Sequence, residues 1–123
     1  MSTRACYIFE DDDGAHCVYK HDDGYPFGAQ QAIKKSFAFA WDLPRFDAGE
    51  FASAFVAKNK TCSGGIRLMG GKNGWKKVGD IEYRYHITFD NDVDMLKVIA
   101  WVFADNNTWK RLGSWHQYKV DEK

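Results

Sequence analysis

The sequence of 123 residues has few cysteines and no excess of either charge. Its three cysteines are odd in number and show no C-x-x-C spacing, so we expect no disulfide framework and a reducing compartment. Seventeen basic residues balance seventeen acidic ones. Because sequence-independent nucleic-acid binders carry a basic excess, this balance argues against nucleic acid as the main partner.

Long apolar runs are also missing. No stretch reaches the ~18 residues that a membrane-spanning helix needs. The N-terminal sequence MSTRACYIFEDDD lacks the apolar segment of a signal peptide. The sequence therefore predicts a cytoplasmic protein with no membrane partner, folded as a single domain over residues 1–123.

Two β-rich runs, ACYIFE and HCVYKH, flank the segment DDDG near the N-terminus. An Asp-Gly pair between such runs predicts a hairpin, because glycine takes the positive φ of a tight turn. A turn centred on Asp13 and Gly14 pairs residues whose numbers sum to 27. The alternation of strand residues then places Tyr7, Phe9 and Val18 on the core side.

Two helices are predicted after this hairpin. Apolar residues at every fourth position indicate a first helix over residues 27–41, which Pro44 brings to an end. Asp47 is suited to cap the second helix, with Glu50 three residues later completing a capping box. We expect this helix to end near Asn59.

Four further strands are predicted, over residues 66–69, 81–89, 95–103 and 109–120. In residues 81–89, polar and apolar side chains alternate, which is typical of a strand with one face in solvent. The element order ββααββββ predicts an α+β fold, in which an antiparallel sheet of about five to six strands carries two helices on one face.

Complete catalytic and metal-binding motifs are absent from the sequence. It contains no H-x-x-x-H, C-x-x-C or G-x-S-x-G. The glycine-rich runs SGG and GGKNG do not have the spacing of a phosphate-binding loop. We therefore predict no metal, no cofactor and no catalytic residues.

The segment YKHDDGYP is the first candidate for a binding site. It places Lys20, His21, Asp22 and Tyr25 beside the expected N-terminus of a helix, a position that favours anions. Its aspartates, glycine and proline also suit a corner between a strand and a helix, and they need no function to explain them. Both interpretations stay open at this point.

Other candidates lie further along the chain. Arg84 and His86 belong to the solvent face of a predicted strand, and Lys72 lies in a loop rich in glycine and lysine. Aromatic residues make up 16% of the chain, more than a small core needs. We expect Trp101 to be buried. Trp75, Trp109 and Trp115 are the candidate anchors for a partner.

The runs YIFEDDDG, YKHDDGYP, LPRFDAGEFASAFVAKNK and GDIEYRYHI together resemble a family of small uncharacterised proteins common in phages and prophages. In that family a Tyr-basic-His-x-Asp-Gly-Tyr-Pro segment follows an N-terminal hairpin and precedes helices and a Glu-Tyr-x-Tyr strand. The resemblance covers residues 5–89. Asp22 occupies the variable position, and Phe27 stands where an acidic residue is frequent.

The resemblance implies a phage or prophage context but no known activity. We therefore expect a non-enzymatic binding protein of the host cytoplasm, a host-defence inhibitor that blocks a host protein or sequesters a small anionic or nucleotide ligand. A small hydrolase or transferase acting on a phosphorylated or nucleotide substrate is the enzymatic alternative, with His21 and Asp22 working beside Arg84 or His86. A homo-oligomeric structural protein is the third.

Overall fold

The computed structural model describes residues 3–40, 46–60, 65–104 and 108–117. The elements are β1 (Ala5–Asp11), β2 (Gly14–Lys20), α1 (Pro26–Ser36), α2 (Ala48–Asn59), β3 (Ile66–Leu68), β4 (Tyr83–Asp90), β5 (Met95–Phe103) and β6 (Trp109–Gln117), with a 3₁₀ turn at Gly74–Lys77. They confirm the predicted order ββααββββ and the α+β class. Within the described ranges, no helix has the length and apolar character needed to cross a membrane.

The six strands form one sheet in the order β3-β2-β1-β4-β5-β6. The prediction of a purely antiparallel sheet is wrong, because β1 and β4 are parallel while the other neighbouring strands are antiparallel. The cause is the connection from β3 to β4, whose 3₁₀ turn packs on β2. It crosses the sheet and brings β4 to the far side of β1, in the same direction as β1.

The larger core lies between the two helices and one face of the sheet. The ring of Tyr7 on β1 packs against Phe55 of α2 at 4.6 Å between centroids and against Tyr85 of β4 at 5.1 Å. The ring centroid of Phe9 lies 5.2 Å from that of Phe55. All four side chains are fully buried, so α2 is held to the central strands by aromatic packing.

The second helix begins and ends where the sequence predicts. The Asp47 carboxylate accepts a hydrogen bond from the Glu50 amide at 2.9 Å, which satisfies one of the free amides of the first turn. The first helix ends at Ser36, before the predicted position. The Ser36 hydroxyl donates to the Ala32 carbonyl at 2.8 Å, and such a bond competes with the helical backbone. Trp41 and Pro44 lie outside the described residues.

The N-terminal hairpin has a different register from the predicted one. Tyr7 pairs with Val18, so the numbers of paired residues sum to 25. The Asp11 carboxylate accepts hydrogen bonds from the amides of Asp13 and Gly14 at 2.8 and 3.1 Å, and this moves the turn one residue towards the N-terminus. Because the sum changes by two, each residue keeps its face, and the predicted core side is confirmed.

The sheet face away from the helices carries a second, smaller core. Cys6, Ile8, Cys17 and Tyr19 are buried there beneath the connection from β3 to β4. The prediction that this face of β4 is solvated is therefore wrong for Arg84, whose exposed fraction is 9%.

We predict that Phe55→Ala lowers the free energy of unfolding by about 3–5 kcal/mol, because it leaves a cavity beside Tyr7 and Phe9. Urea denaturation followed by far-UV circular dichroism measures this change. The matched control is Phe27→Ala, since Phe27 is 63% exposed and its loss should cost less than about 0.5 kcal/mol. Equal losses in the two variants would contradict the placement of the core.

Candidate functional site

Arg84 lies at the centre of the second sheet face. It stands beside Cys6 of β1 on one side and Trp101 of β5 on the other. Its guanidinium carbon is 4.0 Å from the ring centroid of Trp75, 4.9 Å from that of Trp109 and 5.0 Å from that of Trp101. We call these four residues the tryptophan–arginine cluster.

Three different elements bring the tryptophans to Arg84. Trp101 is the cross-strand neighbour of Arg84, and the bulge between Ala100 and Trp101 sets the register of Trp109 on β6. Trp75 belongs to the 3₁₀ turn of the β3–β4 connection. That turn requires glycine at position 74, because a Cβ there would collide with the carbonyl oxygen of Met69.

The charge of Arg84 is held by the indole rings. Nε has no hydrogen-bond partner, and none of the described salt bridges includes this residue. Burial lowers the pKa of the guanidinium from its usual value. A cation–π contact contributes about 0.5–2 kcal/mol according to how far it is desolvated, so the three rings offset part of the cost of burying the ion. The arrangement is tolerable without an anion, but it leaves the Nε–H group without an acceptor among the described residues.

His86 follows Arg84 on the same face of β4. Its pKa is lowered to about 4, mainly by burial and further by the positive charges of Arg84 and Lys72. Glu10 opposes this shift and forms a salt bridge with Lys72 at 3.3 Å. Burial, reinforced by these two positive charges, therefore keeps His86 neutral at physiological pH.

A groove of about 870 Å³ adjoins the cluster at the end of β4 and β5. Trp109 forms edge-to-face contacts with Trp75 at 5.5 Å and with Phe103 at 5.6 Å, and all three rings line the groove. Arg4 and Asp80 form a salt bridge of 3.6 Å at its rim. Fixed aromatic walls with a polar rim are the usual composition of a ligand pocket.

The segment YKHDDGYP forms a corner. The Gly24 amide donates to the Thr3 carbonyl at 2.8 Å, and the Gly24 carbonyl accepts from the buried Tyr85 hydroxyl at 2.6 Å. A Cβ at position 24 would approach Ala5 to 2.7 Å. The Lys20 ammonium donates to the Asp22 carbonyl at 2.5 Å, and burial lowers its pKa. The architectural interpretation therefore accounts for Gly24, and the Lys20 ammonium is already used in a hydrogen bond within the corner.

His21 and His86 do not converge. The Tyr19 hydroxyl and His21 Nδ1 share a hydrogen bond of 2.8 Å beside β3. His86 of β4 pairs with Ile8 of β1, and Ile8 pairs with Cys17 of β2. His21 comes four residues after Cys17, so it lies two strands away from His86 and four residues further along. At about 3.3 Å per residue and 4.8 Å per strand, this separation exceeds the reach of a shared proton transfer. The form of the enzymatic alternative in which His21 works beside His86 therefore lacks the geometry that it requires, and the form that uses Arg84 stays a prediction.

The ten predicted binding residues thus fall in three places. Lys20, His21, Asp22 and Tyr25 lie at the corner, and Tyr25 is the exposed N-cap residue of α1. Trp115 faces the helices, where it contacts Tyr85 at 6.1 Å and packs against the larger core. The structure groups the remaining predicted residues around the second face: Arg84, His86, Lys72, Trp75 and Trp109.

Two residues of the site were missed from the sequence. Trp101 was assigned to the core, and it is a half-buried wall of the tryptophan–arginine cluster. Phe103 belonged to a strand that is apolar on both faces, yet it is 44% exposed in the groove. Trp101 pairs with Arg84, and Phe103 comes two residues later on β5. Because side chains alternate along a strand, this spacing places Trp101 and Phe103 on the same face as Arg84.

No group of three or more potential metal ligands occurs among the residues that the structure describes. Comparison of the chain with protein-family models, with curated proteins and with solved structures finds no match.

We predict that acid weakens the fold through His86. Its pKa rises from about 4 in the folded chain to 6.5 on unfolding, so the unfolded state binds more protons between these values. The associated stability is fully present above pH 6.5 and is lost as the pH falls towards 4. Urea denaturation at pH 7.5 and pH 5 should show about 1 kcal/mol more loss in the wild type than in His86→Gln, after allowance for partial exposure.

The matched control is His116→Gln, since His116 is exposed and paired with Asp90. A His86 resonance that titrates near 6.5 in a proton NMR experiment would contradict the prediction.

Proposed function

We propose that this chain is a non-enzymatic binding protein that holds its partner in the groove beside the tryptophan–arginine cluster. The observation that carries the proposal is the set of rings from Trp75, Trp109 and Phe103 along one groove. Aromatic side chains that are already fixed lose little conformational entropy when a partner binds. They therefore form an effective recognition surface.

The phage and prophage resemblance supports a host cytoplasmic setting, in which the partner is a host-defence protein or a small anionic ligand. The size of the groove favours the small ligand. Its volume of about 870 Å³ lies in the range of about 300–1,000 Å³ that is typical of small-molecule sites. A protein–protein interface is usually larger and flatter than this.

A thermal-shift screen of the purified protein tests the proposal. The panel contains nucleotides, cyclic oligonucleotides, sugar phosphates and aromatic carboxylates. A bound ligand at about a hundred times its Kd should stabilise the fold by about 2.7 kcal/mol and raise the midpoint of unfolding. We expect at least one compound to do so for the wild type and not for Trp109→Ala.

Leu112→Ala is the matched control, because Leu112 lies on the same strand and is 51% exposed. It should retain the response of the wild type. A response that persists in Trp109→Ala would place the binding site elsewhere. Silence across the panel would contradict small-ligand binding, and chromatographic detection of a converted ligand would contradict a non-enzymatic role.

A further inference from the structure

The tryptophan–arginine cluster contains a buried positive charge for which the described residues supply no ion-pair partner. Arg84 is more than nine-tenths buried, its Nε lacks a hydrogen-bond partner, and no salt bridge to it is found among the described residues. Buried charges are normally paired. The indoles approach the cation at 4.0–5.0 Å, whereas the guanidinium presents its N–H donors in its own plane. Those donors suit an anionic acceptor.

The surrounding charges favour an anion at the same place. Arg111 of β6 pairs with Trp101, which pairs with Arg84, so a second arginine occupies the same cross-strand register. Lys72 and Arg84 both raise the potential at His86. The nearby carboxylate of Glu10 is already engaged by Lys72. The chain as a whole is neutral, whereas Arg84 and Arg111 occupy neighbouring positions on the second face.

The aromatic groove lies next to Arg84 along the strands, at the next set of cross-strand partners on the same face. The Phe103 amide donates to the Glu82 carbonyl at 2.9 Å, and Phe103 pairs with Trp109. Phe103 comes two residues after Trp101, the partner of Arg84, so the two sets of partners are about 6.6 Å apart along the strand. A flat ring against Trp109 and an anionic group at Arg84 would therefore belong to one small molecule.

We propose that the cluster binds a nucleoside 5′-monophosphate, with the phosphate on the guanidinium of Arg84 and the base against Trp109. This inference rests on the proposed binding function and names its ligand class. A guanidinium matches two phosphate oxygens at once, and an indole stacks on any base. Glu82 and Asp80 at the groove disfavour a phosphate there and so fix the orientation of the ligand.

Trp75 is the indole nearest to Arg84. Trp101 and Trp109 belong to strands, whereas Trp75 is carried by the β3–β4 connection. It approaches the guanidinium most closely and also lies under Lys76 at 5.7 Å. A phosphate on Arg84 would lie beside these indoles, so we expect binding to change the tryptophan emission of the protein.

Titration calorimetry with three probes tests the proposal: adenosine 5′-monophosphate, adenosine and ribose 5-phosphate. We expect the monophosphate to bind the wild type more tightly than either fragment. Arg84→Met should weaken its binding by at least about tenfold, because a charge-assisted hydrogen bond is lost. The matched control is Arg67→Met, since Arg67 also stacks on a ring, that of Tyr19 at 5.1 Å, but lies outside the cluster. It should bind as the wild type does.

Proton NMR of the wild type gives a second measurement that does not depend on the folding of any variant. Arg84, Lys72 and Glu10 act on His86, and the apolar Ile99 stands opposite it. A phosphate at Arg84 adds negative charge and should raise the pKa of His86 above about 4. Adenosine alone should leave the pKa unchanged.

Adenosine that binds as tightly as the monophosphate would overturn this inference while the proposed binding function stands. Silence from all three probes would overturn it too, and the wider panel then judges the binding function separately. A single-stranded oligonucleotide that binds far more tightly than the monophosphate, with a steep dependence on salt, would also overturn it by assigning the surface to nucleic acid.

Discussion

The β3–β4 connection is the constraint on which the rest of the structure depends. Because it crosses the sheet on the side away from the helices, β4 pairs with β1 in parallel and becomes a central strand. The same crossing covers Cys6 and Cys17 and sets Trp75 over Arg84. One loop therefore determines the topology of the sheet and the composition of the candidate site.

Burial of Arg84 illustrates how the second face differs from the first. The first face is a conventional core, in which aromatic and aliphatic side chains exclude water. On the second face, the charge is retained and the rings surround it. An apolar residue of similar volume would be expected to pack there at little or no cost in stability. The fold alone therefore does not require an arginine at position 84.

The sequence predicted local structure well and the site only in part. The capping of α2 and the alternation of β4 depend on neighbouring residues, and both were predicted. The parallel pair and the cover over Arg84 depend on which face a loop crosses, and no local pattern records this. For the same reason, Arg84 and Trp75 were selected separately but not as neighbours, and the packing of Trp115 against the larger core was not foreseen. Contacts between distant residues follow from topology, which a periodic pattern leaves open.

The parallel pairing of β1 with β4 also affects how the chain reaches its native state. Ala5 must meet Tyr83, so most of the chain separates the two partners. Contacts of this span close large loops and form slowly. During synthesis, the N-terminal hairpin therefore emerges long before β4, the strand that pairs with the open edge of β1. The apolar residues of β1 remain open to unwanted pairing in that interval, and folding of this small protein should be more sensitive to crowding and to chaperones than its size implies.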